Sequence, residues 1–310
     1  MPGLGGVFEN KNFQLNCDAW TELQKGHPEI LDIEFSPSDL RCGPVTGAVE
    51  NIGYANEEDF YFPYLKTAYD LGYGLCVGDG CPDLKLQLGV AAVKKLRDVY
   101  QNGAAVNDRE IVVNQCETAV NGRKAVVNQC ETAVNSHTEK CRNDASVKAA
   151  FFLKPYPDTK LDERLTWIKP YAEYIGIDID SYNILTMRNL VNLERKTAAQ
   201  LQAFRSKFEV PFVIKGVFTE ADVELVRQVR PDVVYISNHG GRVETRIGST
   251  AEFLRDNADE LKKYCGQIWV DGGIRSKADV QTALFYGADK VIMARPLIRA
   301  VFDEEKFRLE

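Results

Sequence analysis

Eight short apolar runs, most of them followed by an amphipathic stretch, constrain this chain more than any other feature. The runs lie at 42–48, 74–78, 149–153, 174–179, 211–215, 233–237, 268–271 and 290–293. Each has strand length and ends in a glycine or polar turn, and most are rich in β-branched and aromatic residues. Helical spacing falls between most of them, at 57–70, 83–100, 160–173, 195–207, 219–229, 249–264 and 276–286. Thr219 and Ser276 stand where helix N-caps belong, with acidic or polar residues after them. Strand and helix alternating eight times predict an α/β fold, the (β/α)8 TIM barrel. An open doubly wound sheet is the alternative, weakened because no GxGxxG follows the first strand. At 310 residues the chain suits one such barrel, and we read 1–310 as a single domain.

One segment breaks the rhythm. VVNQCETAVN at 112–121 recurs unchanged at 126–135, 14 residues on. Val113, Cys116 and Val120, with Val127, Cys130 and Val134, fall at three-and-four spacing and favour an amphipathic helix. Asn121-Gly122 offers a hairpin turn instead. The duplicated insertion, 104–146, falls between the second helix and the third strand. In a barrel that connection lies on the bottom face, so a structural or partner-binding role is expected rather than a catalytic one.

Composition excludes several function classes. A net charge of −7 with no basic stripe argues against a nucleic-acid partner. No run of about 18 apolar residues is present, so no membrane span is expected. The opening MPGLGGVFENKNF lacks the basic and apolar regions of a signal peptide, so a cytoplasmic location with reduced thiols is expected. Cys76 and Cys81 lie five apart with no histidine near, which is not zinc spacing, and no metal is expected.

The chemistry concentrates at strand ends. VVYISNHGGRVET, 233–245, reads as a buried strand that breaks at Gly240-Gly241. It sets His239 and Arg242 three positions apart, an imidazole that can exchange protons near neutral pH beside a guanidinium that can clamp a carboxylate. The plainer alternative is a structural histidine after a strand. Lys215 ends PFVIKG, where a buried ammonium needs either an electron-rich ligand or a barrel carboxylate. VDGGIRS, 270–276, leads into a helix at Ser276 with free backbone N–H groups and Arg275, and MARPL, 293–297, adds Arg295. Loops after strands seven and eight of such barrels often bind phosphate. Glycines that merely turn the chain explain either motif alone less strainedly than both together.

With Lys215, His239, Arg242, Asp271-Gly272-Gly273, Arg275 and Arg295 in this order, the chain resembles the FMN-dependent 2-hydroxy-acid oxidase and dehydrogenase family. The likeness runs from about residue 40 and is strongest over 209–301; PGLGG, GPVTGA and VGDGCPDLK resemble a bacterial branch. The resemblance implies one FMN, its phosphate held by Gly273, Arg275, Ala294 and Arg295, with Asp271 and Gly272 also binding the cofactor. It implies that Pro44, Val45 and Thr46 lie by the reactive edge of the ring and Lys215 at its pyrimidine end. It makes Arg242 the carboxylate clamp, His239 the base and Asp180 of GIDIDS the carboxylate that favours the imidazolium. Arg188 stands about where a second carboxylate-binding arginine is expected.

Departures bear on substrate. Where the family usually carries an aromatic hydroxyl, FFLKPY offers Lys154, with Tyr156 two residues on. Val243-Glu244-Thr245 replaces the usual Gln-Leu-Asp. The function implied is oxidation of a small (S)-2-hydroxy acid to the 2-oxo acid, with electrons passed to oxygen or another acceptor. The assembly expected is a homo-oligomer. An FMN-dependent isomerase on the same barrel and a non-catalytic flavin-binding scaffold are the alternatives.

Overall fold

A computed structural model of the chain describes residues 10–102, 147–182, 184, 192–243 and 245–303. Eight parallel strands form one sheet: β1 Leu40–Cys42, β2 Cys76–Gly78, β3 Ala149–Leu153, β4 Ala172–Asp178, β5 Phe212–Val217, β6 Val233–Ile236, β7 Gln267–Val270 and β8 Lys290–Met293. From β2 to β8 each strand pairs with the next in sequence, and β8 pairs with β1 in the register Leu40↔Val291. The ring then closes. Arg41 bridges Gly74 in parallel, and the Gly74 carbonyl accepts from the Cys42 N–H at 2.9 Å. Closure makes this a (β/α)8 barrel and rules out the open sheet.

Helices fill the crossovers: α2 Glu58–Asp70, α3 Leu84–Asn102, α4 Asp158–Ile168, α5 Ala198–Arg205, α6 Glu220–Val229, α7 Thr250–Leu261, α8 Lys277–Phe285 and α9 Arg295–Asp303. Thr219 and Ser276 cap α6 and α8 as expected. Each is half of a capping box, completed by Asp222 and Asp279. A further helix, α1 Lys11–Gln24, precedes the barrel and was not expected from its sequence.

Of the boundaries that differ from expectation, three are instructive. The first strand is Leu40–Cys42, not 42–48, because Gly47 adopts a left-handed φ of 73° and a π-turn over Ala48–Ile52 follows. The helix expected over 160–173 stops at Ile168. Pro170 lacks an amide hydrogen, the chain tightens into a 3-10 turn, and the strand starts at Ala172. MARPL continues directly into α9 rather than ending as a loop.

Side chains of alternate strand residues stack inside the barrel. Near the bottom the Arg41 guanidinium lies 4.5 Å from the Trp269 ring and pairs with Glu173. Phe152 and Tyr235 meet above it, with ring centroids 5.3 Å apart. The same parity places Asp178, Lys215 and Asp271 in the next layer up. The Lys215 ammonium sits 5.3 Å from the Tyr235 ring, and the Tyr235 hydroxyl donates to Asp271 at 2.7 Å. Apolar filling thus gives way to ionisable groups at the strands' C-terminal mouth, where barrels carry chemistry.

The duplicated insertion lies outside the described residues. Its anchors are the end of α3 at Asn102 and the start of β3 at Ala149, both on the opposite face of the barrel from that mouth. Replacing 106–146 with a short Gly/Ser linker is therefore expected to leave retention of the FMN that the resemblance implies unchanged, as read from the visible spectrum of the purified protein. A folded deletion protein that loses its flavin would show that the insertion contributes to the upper mouth.

Candidate active site

A cavity of about 730 Å³ opens at this mouth. Its wall includes Pro44, Val45, Thr46, Lys154, Lys215, His239, Arg242, Asp271, Gly272, Gly273, Arg275, Ala294 and Arg295. Strand β5 itself, at Lys215, and the loops after β1, β3, β6, β7 and β8 contribute them, so residues from Pro44 to Arg295 converge. Arg188 and Glu244 lie outside the described residues. Tyr156 is not part of the wall. Its ring packs 4.2 Å from the buried Arg164 guanidinium, behind the cavity, and its hydroxyl has no hydrogen-bond partner among the described residues.

Local sequence explains the histidine loop. After β6, Ser237 accepts the His239 N–H at 3.2 Å and Asn238 accepts the Gly241 N–H at 3.0 Å. Backbone φ is positive at three successive residues, His239 at 58°, Gly240 at 66° and Gly241 at 92°. Two of these are cheap because they are glycine, and the third carries strain of roughly 1–3 kcal/mol that the surrounding bonds must hold. Gly241 is fixed by proximity as well, since a Cβ there would sit 2.6 Å from the Phe13 backbone nitrogen.

His239 directs Nδ1 to Asp180 Oδ1 at 3.1 Å, with Asp178 Oδ2 at 3.7 Å. This leaves Nε2 for the cavity. Asp178 in turn binds the Lys215 ammonium at 2.8 Å, and both are buried. The charges divide unevenly. Burial raises the Asp178 carboxyl, but Lys215, with His239 and Lys154, outweighs it and holds Asp178 below the usual carboxylate range. Burial raises Asp180 well above that range, and the neighbouring Asp178 charge adds to the effect. Burial lowers His239 to about 3, opposed by Asp178 and reinforced by Lys215 and Lys154. The resting histidine is a neutral base, and Asp180 prefers to hold a proton. Asp180, to which the sequence pointed, is the carboxylate in hydrogen-bond contact with the ring, and Asp178 lies just beyond it. Lys215 answers its two sequence alternatives together: it pairs with a barrel carboxylate and also faces the cavity.

Arg242 donates to the His239 carbonyl at 3.1 Å and to Asn51 Oδ1 at 3.4 Å. Among the described residues no carboxylate lies within ion-pair distance of it, and burial lowers its pKa. On the far wall Arg275 donates to the Ile274 carbonyl and to Cys17 Sγ, and the Arg295 guanidinium lies 4.2 Å from the Phe13 ring. Burial lowers Arg295 to about 10, and repulsion from Arg275 and Arg242 contributes. Arg275 and Arg295, close enough to repel each other, are a site for a multiply charged anion.

Helix α1 builds this wall, and the strand–helix rhythm did not reveal it. Asn16 and Asn238 exchange two amide hydrogen bonds of 2.7 and 3.0 Å, both side chains fully buried. Asn16 Oδ1 also accepts from the Thr250 N–H, and the Trp20 indole donates to the Gly272 carbonyl at 2.7 Å. Gly273, with φ of 81°, lies so close that a Cβ would stand 1.7 Å from the Asn16 carbonyl oxygen. One helix thus ties the VDGGIR loop to the loop carrying His239.

Residues 90–306 match the family model described as FMN-dependent dehydrogenase. Over 98 residues the chain is 31% identical to 2-hydroxyacid oxidase 2 of Rattus norvegicus, a match covering 32% of this chain and 28% of that protein. Over 101 residues it is 37% identical to an L-lactate dehydrogenase of Vibrio parahaemolyticus, covering 33% of this chain and 26% of that one. Each match spans little more than a quarter of the relative's length. Among solved structures, a lactate oxidase of Pediococcus acidilactici superposes with a TM-score of 0.58 at 15% identity, over 94% of this chain and 75% of that one. A mandelate oxidase variant gives 0.60 at 17% identity, over 96% and 84%. At such identities the structures speak to the fold, and it is the same barrel. A family match over more than two thirds of the sequence, on a barrel whose mouth gathers a neutral histidine and three convergent arginines, settles the assignment: the chain belongs to the FMN-dependent dehydrogenase family.

Proposed function

We propose that the protein oxidises a small (S)-2-hydroxy acid to the corresponding 2-oxo acid. One observation carries this reading. A neutral imidazole and a guanidinium with no carboxylate within ion-pair distance among the described residues share one turn and one cavity. A diphosphate isomerase or a non-catalytic scaffold has no need of that pair.

The cavity residues fit FMN. Arg275 and Arg295, with the backbone at Gly273 and Ala294, would hold the phosphate, and the mutual repulsion of the guanidiniums supports a dianion there. Gly272 would lie beside the phosphate. Pro44, Val45 and Thr46 would line the ring, with Lys215 and Asp271 at its polar end. Bound FMN supplies a two-electron acceptor. Arg242 would take the substrate carboxylate in a forked pair and so fix the 2-carbon beside His239. His239 Nε2 would accept the hydroxyl proton, and the adjacent Asp178 carboxylate would offset the new charge. Asp180 would hold Nδ1 and keep the ring oriented. Oxygen or another acceptor would complete the cycle. With this proposal go a cytoplasmic location and a homo-oligomer, each measurable by fractionation and light scattering.

The test begins with purification. The protein is expected to be yellow, with one FMN per chain after extraction. Anaerobic mixing with a panel of (S)-2-hydroxy acids is expected to bleach the flavin for at least one of them. Holoprotein that no 2-hydroxy acid reduces would overturn the activity while leaving the cofactor assignment in place.

A further inference from the structure

One cation at the cavity has no role in the chemistry above. Lys154, one residue past the end of β3, is 5% exposed and lines the cavity wall. Among the described residues the carboxylates around it are each in contact with another partner. Asp79, nearest behind it, accepts the Lys154 backbone N–H, but its carboxylate is taken by Arg164 Nε at 2.7 Å and by the Gly80 N–H. On the other side Asp178 is held by Lys215 at 2.8 Å, and Asp180 faces His239. Among the described residues no carboxylate lies within ion-pair distance of Lys154.

Charge bookkeeping across the cavity sharpens the point. Arg275 and Arg295 are matched by a phosphate, Arg242 by one substrate carboxylate, Lys215 by Asp178, and Lys85 by Glu50 at 3.0 Å. Asp180 and Asp271 lie near as well, but among the described residues neither comes within ion-pair distance of the Lys154 ammonium, which is left without a contacting anion. A buried ammonium without an anion is costly. A substrate hydroxyl would leave that charge uncompensated, because a neutral oxygen brings none. A second carboxylate would neutralise it.

We propose that Lys154 binds a second anionic group of the substrate, so that the substrate class is 2-hydroxy dicarboxylic acids, with one carboxylate on Arg242 and the other on Lys154. The inference rests on the hydroxy-acid reading of the site.

The test uses FMN-loaded protein and pairs of acids with equal chain length. Succinate and butyrate, which carry no oxidisable hydroxyl, are titrated while the flavin absorbance is followed. Succinate is expected to bind about tenfold or more tightly than butyrate, the worth of one desolvated charge pair at the least. Lys154→Met and Lys154→Gln should erase that preference while leaving butyrate affinity within about twofold, and Lys154→Arg should keep most of it. The reactive pair, (S)-malate against (S)-2-hydroxybutyrate, should show the same preference in kcat/KM for flavin reduction. Equal affinity of the wild type for succinate and butyrate overturns the proposal, and that measurement needs no variant. Equal weakening of both acids in Lys154→Met overturns it too, because Lys154 would then act on the part they share. A Lys154-dependent preference for succinate in a protein that no 2-hydroxy acid reduces would uphold the anion site and refute the oxidase reading.

Discussion

Replacing His239 with Gln is expected to slow flavin reduction by a 2-hydroxy acid by about 10²–10⁴-fold, the usual worth of a positioned base. Gln has similar reach and polarity but cannot accept the proton. Binding of a non-reactive carboxylate should change little, because Arg242 carries that contact. The pH dependence separates this histidine from an ordinary one. Burial lowers His239 to about 3. A base is active when deprotonated, so activity is retained above its pKa and lost as pH falls through it. The kcat/KM for reduction should therefore show no acid-side loss from His239 between about pH 5 and 8, where a histidine of ordinary pKa near 6.5 would lose most of its activity by pH 5. Asp180→Asn should be the milder change, since Asp180 prefers its protonated form and an amide keeps much of that shape. Rapid mixing of each variant with substrate reads the rates directly. A His239→Gln protein that reduces its flavin at the wild-type rate would remove His239 as the base.

The barrel was legible because its signal is repetitive. Each strand must bury both faces, so eight apolar runs with helical spacing between them leave little choice of architecture. The site was legible for a related reason. Ionisable residues at the ends of buried strands have no structural excuse unless they pair, and Lys215, His239, Asp271 and Arg295 all stand there. Helix α1 was illegible because its buried face carries Asn12, Asn16, Ala19 and Trp20. Two of those residues dock through side-chain amides, so no apolar stripe marks the helix. Asp178 carries a signal in the sequence as well. In GIDIDS it shares the parity of Asp180, and its registry opposite Lys215 across β4 and β5 pairs the two. The first strand was displaced because GPVTGA is apolar enough for a strand, while Gly47 bends the backbone out of the sheet and makes that stretch cavity wall. Lys154 was visible in sequence only as a departure. Its want of a counter-ion depends on Asp79 being taken by Arg164, 85 residues away, which no local pattern records.

Arg242→Met should fail in a different way from His239→Gln, and the contrast tests the division of labour. Methionine keeps most of the apolar stem but removes the forked donor. If the substrate carboxylate is desolvated at this guanidinium, its loss should cost about 2–5 kcal/mol of binding, roughly 30- to several-thousand-fold in Kd for a 2-oxo acid or an inert carboxylate. Turnover should fall with it, because the carboxylate anchors the 2-carbon beside His239. The variant should still fold and keep its flavin. Among the described residues the Arg242 side chain hydrogen-bonds to the His239 carbonyl and Asn51 and pairs with no carboxylate, so removing it strands no buried carboxylate. It should even relieve Arg295, which is lowered in part by repulsion from Arg242. Analogue titration followed through the flavin spectrum measures the affinity, and reduction at saturating substrate measures the chemical step. Affinity for carboxylates unchanged in Arg242→Met would mean that the clamp lies elsewhere, and the pairing of base and clamp on one turn would then no longer support the hydroxy-acid assignment.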